Sequence, residues 1–206
     1  VKKGDVVMTM LKRNYQYWYL AAALCKLGAV LIPAVSLLTS HDITYRNNAA
    51  GVKMVVCANE EPLLESVEAS LADSPTLTHL GLIGDRDGWL NFDAGCAAQP
   101  DTFHRPQGEE ATRAIDPMLI YFTSGTTGQP KMAMHDFRYP LGHVATAKYW
   151  HTTRETDLHF TISDTGWAKC GWGKIYGEWL TGCAIFVYDF ERFNAKHILE
   201  KLEKYR

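Results

Sequence analysis

The chain has 206 residues, of which 47% are apolar and 21% charged, so it can bury a core and does not have the composition of a disordered protein. Its net charge of −2 is too small to give the basic surface that nucleic-acid-binding proteins use, and no apolar run approaches the roughly 20 residues of a membrane-spanning helix. The five cysteines contain no C-x-x-C pair, which argues against a disulfide framework and a zinc knuckle. We therefore expect a folded protein from a reducing compartment, without a nucleic-acid partner or membrane insertion.

The first half of the chain alternates between short apolar runs and helical patterns. Reading from the N-terminus, the pattern predicts strands at 6–11, 29–32, 54–58 and 79–83, separated by helices at 15–27, 39–48 and 62–70. Asn14 is expected to cap the first helix and Gly28 to end it in a left-handed conformation. Thr39 and Asp42 match a capping box, and Pro62 suits a first helical turn.

The second half resumes this alternation after a weakly patterned stretch at 85–116, which we expect to be a surface excursion. Predicted elements follow in the order strand 118–122, helix 139–150, strand 158–161, helix 171–180, strand 184–187 and a last helix that Asn194 caps. The last helix is expected to have an apolar face made of Ile198, Leu199, Leu202 and Tyr205. Strands separated by helices indicate the α/β class, with a mainly parallel sheet and flanking helices.

The residues between 123 and 131 combine side chains that suit a phosphate group. Hydroxyl groups can donate to phosphate oxygens, glycines let backbone N–H groups turn toward one point, and a lysine supplies positive charge. The loop consists of Thr123, Ser124, Gly125, Thr126, Thr127, Gly128, Gln129, Pro130 and Lys131. It is not the common phosphate loop, because it ends in Gly-Gln-Pro-Lys instead of Gly-Lys followed by Ser or Thr. The same residue types are also ordinary turn formers, so a hairpin between two strands is the alternative interpretation.

The segment 120–131, with the sequence IYFTSGTTGQPK, resembles the AMP-binding signature of the adenylate-forming superfamily. A second segment, 161–169 with the sequence TISDTGWAK, is similar to the S-D-T-G-W segment of medium-chain acyl-CoA synthetases and their acetyl-CoA synthetase relatives. The opening residues 4–6, 29–34 and 37–39 also resemble the same enzymes. The resemblance therefore covers nearly the whole chain.

The resemblance implies an enzyme that uses ATP to convert a small carboxylate into an acyl-adenylate and then transfers the acyl group to coenzyme A. It assigns ATP binding to the loop from Thr123 to Lys131 and implies Mg²⁺ with the nucleotide, although no carboxylate of this chain matches a metal ligand of the family. We assign Trp167 to the wall of an acyl pocket; packing between helix and sheet is the alternative. No residue of the chain matches the family's catalytic lysine, its ribose-binding Asp or its Tyr-Gly-x-Thr-Glu segment.

Other candidate residues suggest simpler roles. Histidines at 135, 143, 151 and 159 recur every eight residues, a spacing that does not return to one helical face, so we expect no metal cluster. Cys170 and Cys183 are expected to be buried apolar groups. Gly171, Gly173 and Gly177 are expected to allow close packing of a helix against the sheet, since their spacing does not match a dinucleotide loop.

These observations predict a piece of a longer enzyme. Residues 1–206 are expected to be an incomplete AMP-binding domain, the large N-terminal domain, without the C-terminal domain and inactive alone. The alternatives are an adenylation domain for an aryl or amino acid and a non-catalytic nucleotide-binding fragment. A cytoplasmic location is expected, or the mitochondrial matrix if a targeting peptide is missing. Neither the oligomeric state nor the acyl chain length follows from the sequence.

Overall fold

Strands and helices alternate along residues 1–125 and 128–205, the part of the chain that the computed structural model describes. The strands are β1 Val6–Met10, β2 Val30–Pro33, β3 Val52–Cys57, β4 His79–Leu82, β5 Leu90–Asn91, β6 Pro117–Thr123, β7 Lys131–Asp136, β8 Leu158–His159 and β9 Ala184–Ile185. The helices are α1 Gln16–Leu27, α2 Ser40–Ala50, α3 Glu61–Ser70, α4 Phe92–Ala97, α5 Tyr139–Ala145, α6 Ala168–Lys174, α7 Tyr176–Leu180 and α8 Ala195–Tyr205. Among these helices, none has the length and apolar character required to cross a bilayer.

The main sheet of the described residues has the strand order β5-β4-β3-β1-β2-β6-β7. All pairs are parallel except β6 with β7, which are antiparallel and joined by a hairpin. Strands β8 and β9 form a separate two-stranded parallel sheet. The predicted α/β class with a mainly parallel sheet is confirmed. Because parallel strands end at one edge, the segments that follow β1, β2 and β6 meet at the carboxyl edge of the sheet.

Helices cover both faces of the sheet, since successive residues of its strands point to opposite sides. Val7, Leu31 and Leu119 are buried on one face, in the cluster that includes residues of α1, α6 and α7. Met8 and Ile32 are buried on the other face, with residues of α2 and α3. The strands are therefore buried on both sides, which explains their nearly continuous apolar sequences.

Helix termini follow the predicted caps except at the N-terminus of α1. Gly28 has φ +72° after α1, the Thr39 and Asp42 side chains form both bonds of a capping box at α2, and Pro62 lies in the first turn of α3. The predicted cap at Asn14 is wrong, because Tyr15 occupies the N-cap position and no side chain caps α1. The Asn14 side-chain amide donates to the Asp189 carboxylate at 3.1 Å instead.

Four further differences lie in other parts of the chain. The stretch 85–116 contains β5 and α4, which weak patterning did not predict. The predicted helix 171–180 is two helices, which meet at Ile175 with φ −128°. The predicted helix 139–150 is α5 followed by a π-helical turn at Thr146–Trp150. On the last helix only Ile198 of the predicted apolar face is buried, whereas Leu199 is 65% exposed.

A lysine lies within the core beside the sheet. The Lys174 side chain is buried, its ammonium donates to the Thr161 carbonyl oxygen at 2.9 Å, and it lies 5.2 Å from the ring centres of Trp18 and Phe160. Burial, which disfavours the charged form, lowers the pKa of Lys174 to about 8. The aromatic faces and the carbonyl compensate part of the cost of burying this charge.

The segment 163–167 docks directly onto the ends of β1 and β2. The Thr165 N–H donates to the Lys12 carbonyl oxygen at 2.9 Å, and the Gly166 N–H donates to the Asp164 carboxylate at 2.9 Å. A Cβ added at Gly166 would lie 2.4–2.5 Å from backbone atoms of Ala34 and Val35. Glycine is therefore required at this position, because two backbones meet without space for a side chain.

We expect Gly166→Ala to lower the free energy of unfolding by about 2–3 kcal/mol or more, since the added methyl group meets backbone atoms that cannot rotate away. Urea unfolding of the chain measures this change. Gly95→Ala is the matched control, because a Cβ at Gly95, within α4, has no atom within 4 Å. The control should be neutral or stabilising by up to about 1 kcal/mol. Equal stability of Gly166→Ala and the wild type would contradict the contact.

Candidate functional site

The predicted phosphate-binding loop connects β6 to β7 at the carboxyl edge of the sheet. Thr123 and Lys131 pair across the two strands, and the Thr123 hydroxyl lies 3.4 Å from the Lys131 carbonyl oxygen. The loop is a hairpin connection, as in the alternative interpretation, and the described residues Thr123, Ser124 and Lys131 in it are exposed. Thr126 and Thr127, which are also predicted site residues, lie outside the described residues.

The two sides of the loop are close together at its base. A Cβ added at Gly125 would lie 2.3 Å from the Gln129 carbonyl oxygen, so this position requires glycine. The Tyr45 hydroxyl of α2 donates to the Pro130 carbonyl oxygen at 2.8 Å and ties the second side of the loop to a helix. Gly128 and Gln129 are exposed. The loop base is thus fixed by packing, while its polar groups face solvent.

A cavity of about 420 Å³ lies between the start of the loop and the segment after β2. Three of the predicted site residues, Thr123, Ser124 and Trp167, line it together, although Trp167 is 43 residues after Ser124 in the chain. The remaining walls are mostly apolar, with Val35 and Phe122 among them. The other loop residues that the structure describes, from Gly125 to Lys131, are not among the residues that line this cavity.

Trp167 has most of its side chain in contact with solvent or the cavity. It is 62% exposed and directly follows Gly166, whose close contact with the end of β2 places the indole at the mouth of the cavity. This exposure disfavours the alternative in which Trp167 packs in the core between helix and sheet. An indole in such a position offers a large apolar surface to a ligand.

Arg46 is a cavity residue that the sequence analysis missed. Its guanidinium lies 5.1 Å from the centre of the Phe122 ring and forms an ion pair with Asp42 one helical turn earlier at 3.6 Å. Burial lowers the pKa of Arg46, while Asp42 opposes that shift. The Asp42–Arg46 spacing of four residues was the available signal, because such pairs share a helix face. Arg46 adds positive charge beside the first loop residues.

The groups around the cavity fit a phosphate better than a metal ion. Hydroxyl groups of Thr123 and Ser124 and the nearby guanidinium can donate to phosphate oxygens, as can the exposed ammonium of Lys131 beside the loop. Among the described residues that line the cavity there is no carboxylate, the ligand that Mg²⁺ prefers. These residues can therefore hold the phosphates of a nucleotide, while none of them is assigned as a magnesium ligand.

The cysteines and glycines singled out in the sequence have structural roles. Cys170 and Cys183 are buried, and burial raises the pKa of Cys170 to about 12, so its thiol is not a nucleophile at neutral pH. A Cβ at Gly171 would lie 2.1 Å from the Tyr121 hydroxyl, and one at Gly177 would lie 2.2 Å from the His143 carbonyl oxygen. Gly171 thus packs closely against the sheet, as predicted, whereas Gly177 packs against α5 instead. The prediction is wrong for Gly173, where the nearest atom to an added Cβ lies 3.6 Å away, an ordinary contact.

The sequence predicts no metal cluster among the regularly spaced histidines, but the structure brings two of them close together. His151 and His159 have ring centres 5.3 Å apart, and Glu178 lies against His151. The eight-residue spacing was uninformative because the chain turns back between the two positions. His135 and His143 lie elsewhere, against the Tyr139 ring.

Comparison with known proteins identifies relatives along the whole chain. Residues 1–206 match the family model described as AMP-binding enzyme. The chain is 39% identical over 206 residues to the mitochondrial acyl-coenzyme A synthetase ACSM5 of Mus musculus and 33% identical over 208 residues to the mitochondrial ACSM4 of Rattus norvegicus. These matches include 98% and 100% of this chain but 34% and 35% of the relatives. The chain thus spans about a third of the length of the curated relatives it matches.

Two solved structures share the fold. The acyl-CoA synthetase of Brucella canis has a TM-score of 0.83 at 22% identity, with 99% of this chain and 36% of that chain covered. The anthranilate CoA ligase AuaEII, solved with anthranoyl-AMP, has a TM-score of 0.88 at 21% identity, with 100% and 39% covered. At these identities the likeness establishes the fold alone. With the family model matched from the first residue to the last and the loop placed at the carboxyl edge of the sheet, the chain belongs to the AMP-binding enzyme family.

Proposed function

We propose that this chain is part of an ATP-dependent acyl-CoA synthetase that activates a short- or medium-chain carboxylate and transfers it to coenzyme A. The observation that carries the proposal is the shared cavity, in which the first residues of the loop face Trp167. A phosphate-binding loop and an apolar wall at one site suit a reaction that joins a nucleotide to an acyl group. The relatives named above as mitochondrial acyl-coenzyme A synthetases support the same reaction and a mitochondrial location.

In this proposal, the residues from Thr123 to Lys131 bind the β- and γ-phosphates of ATP. Hydroxyl and backbone N–H groups orient the triphosphate so that the carboxylate attacks the α-phosphate in line, and Lys131 neutralises charge that develops on the departing pyrophosphate. Mg²⁺, when bound, would neutralise further phosphate charge, with ligands that we do not assign within this chain. The close base of the loop at Gly125 holds these groups in place before ATP binds.

We further propose that Trp167 forms one wall of the acyl pocket. The cavity volume of about 420 Å³ lies within the range of small-molecule sites, roughly 300–1,000 Å³. Val35, Phe122 and the indole give it an apolar lining in which an alkyl chain loses contact with water. Arg46, which lines the same cavity and is paired with Asp42, can donate hydrogen bonds to an anionic substrate.

We propose that residues 1–206 form part of a large N-terminal domain. The chain matches only 34–35% of the length of its relatives, which supports a piece of a longer protein. The family resemblance implies a ribose-binding Asp and a catalytic lysine that no residue of this chain matches. We therefore expect the 206 residues alone to bind a nucleotide weakly and to have no acyl-activating activity. The reaction is tested in the protein that includes the rest of such a domain.

The first test is ATP–pyrophosphate exchange, which reports acyl-adenylate formation directly. We expect butyrate or hexanoate to stimulate exchange in the complete enzyme, because the described residues of the pocket wall are mostly apolar and include no carboxylate that would bind an amino group. Stimulation by anthranilate or benzoate alone would favour an aryl-acid enzyme, and stimulation by an amino acid alone would favour a peptide-synthetase-like domain. Nucleotide binding without any exchange would indicate a non-catalytic protein.

A second test replaces the charged and hydroxyl groups of the loop. Lys131→Gln and Thr126→Ala should lower kcat/KM for ATP by about 100-fold each, comparable to the loss of one preorganised donor in other enzymes. Lys148→Gln, which removes a lysine exposed outside the cavity, is the matched control and should leave kcat/KM unchanged. If the loop variants keep both adenylate formation and ATP affinity, the loop does not bind the triphosphate.

A third test concerns acyl selectivity. Trp167→Ala enlarges the pocket, so we expect the ratio of kcat/KM for octanoate to that for butyrate to rise by about tenfold or more. Trp167→Phe should retain most of the wild-type preference, and Tyr149→Ala, at an aromatic residue 84% exposed outside the cavity, should retain all of it. An unchanged acyl profile in Trp167→Ala would refute the pocket assignment.

A further inference from the structure

Three side chains from separate elements of the second half of the chain meet outside the cavity described above. His151 follows the π-helical turn, His159 ends β8, and Glu178 lies in α7. Each offers one ligand atom, and these three atoms lie within 4.8 Å of one another. Neither the proposed nucleotide site nor the proposed acyl pocket includes any of them. Two imidazoles and a carboxylate form a common ligand set for transition-metal ions.

The carboxylate of this group is buried, and only one of its two oxygens has a hydrogen-bond partner among the described residues. Glu178 has no exposed surface, and its Oε1 lies 2.7 Å from His151 Nδ1. Within residues 1–125 and 128–205, the second oxygen, Oε2, is buried without a hydrogen-bond partner. A buried carboxylate with an unpaired oxygen is costly, so a cation next to it would be strongly favourable.

The second histidine is oriented by the backbone. His159 Nε2 lies 2.9 Å from the Gly173 carbonyl oxygen, which can only accept a hydrogen bond. This bond places the ring proton on Nε2 and leaves the Nδ1 lone pair free to bind a metal. Metal-binding histidines typically donate their other ring N–H to such an acceptor, which fixes the orientation of the ring.

Open space lies beside the two imidazoles. His151 and His159 both line a cavity of about 680 Å³, whose other walls include Phe160 and Phe186. The Trp172 ring stacks on His151 at 6.3 Å between ring centres and limits its movement. A metal ion could therefore enter from the cavity and keep one position open for water or another small ligand.

We propose that His151, His159 and Glu178 bind one divalent transition-metal ion, with Zn²⁺ as the best-matched ion. Zinc bonds of about 2.0–2.2 Å to nitrogen and oxygen require ligand atoms roughly 3.4 Å apart in a tetrahedral site. Small side-chain rotations would bring atoms at 4.8 Å or less to that distance. Mg²⁺ does not suit this site, since it prefers oxygen ligands, so the proposed ion differs from the magnesium that accompanies ATP.

The test measures metal binding by the 206-residue chain after treatment with a chelator. Competition between the protein and a chromophoric chelator for Zn²⁺ should give one ion per chain, and Co²⁺ should give the visible absorption of a tetrahedral site. His159→Gln and Glu178→Gln should each weaken Zn²⁺ binding by about 100-fold. Mutating a residue that only hydrogen-bonds to a metal ligand already lowers metal affinity by about 10–100-fold, and these variants remove a ligand itself. A 100-fold excess of Mg²⁺ should not displace the ion.

His104→Gln is the matched control, because it removes an exposed histidine outside the group and should leave the affinity unchanged. Near-ultraviolet circular dichroism reports whether each variant keeps the wild-type packing. Since Glu178 is fully buried, the half-buried His159 provides the independent variant if Glu178→Gln alters the fold. The proposal would be overturned if the chain bound no stoichiometric Zn²⁺, or if a folded His159→Gln bound Zn²⁺ as tightly as the wild type. His151 and Glu178 would then be only a hydrogen-bonded pair.

Discussion

The contact between Gly166 and the backbone of Ala34 and Val35 is the constraint on which the candidate site depends. It joins a segment of the second half of the chain to the carboxyl edge of the sheet built by the first half. Because no side chain separates the two backbones, the position of Trp167 relative to β2 is fixed to within the tolerance of van der Waals packing. The loop after β6 is fixed to the same edge by the adjacent strand pair. The backbone thus sets the distance between loop and indole, and side chains such as Val35 and Phe122 line the cavity between them.

The sequence predicts the parts of this structure that local interactions determine. The capping box at Thr39 and the left-handed turn at Gly28 need only neighbours within a few residues, and the α/β alternation follows from short-range periodicity. The loop from Thr123 to Lys131 was also identifiable, because its composition and resemblance are contiguous.

Features that depend on distant partners escaped the sequence analysis. Asn14 lies one residue before the N-cap of α1, and its amide donates to Asp189, 175 residues away. Arg46 lines the cavity because its guanidinium packs on Phe122. Phe122 lies on β6, and the packing of β6 against α2 depends on tertiary contacts that a local sequence pattern does not reveal. His151, His159 and Glu178 come from three elements, so no linear spacing could reveal their proximity. The isolated helical pattern of α8 suggested an apolar face, but only Ile198 has a packing partner extensive enough to bury it.

The hairpin between β6 and β7 has an entropic consequence for ligand binding. Lys131 belongs to a strand and pairs with Thr123, so its backbone is ordered when the protein folds. Ordering one backbone residue costs about 1–2 kcal/mol, and this cost is met by folding before any nucleotide arrives. In the proposed contact of Lys131 with phosphate, binding then restricts only the rotamers of a long side chain. A lysine placed on a free loop would lose both kinds of freedom at once, so the strand position favours tighter binding for the same electrostatic contact.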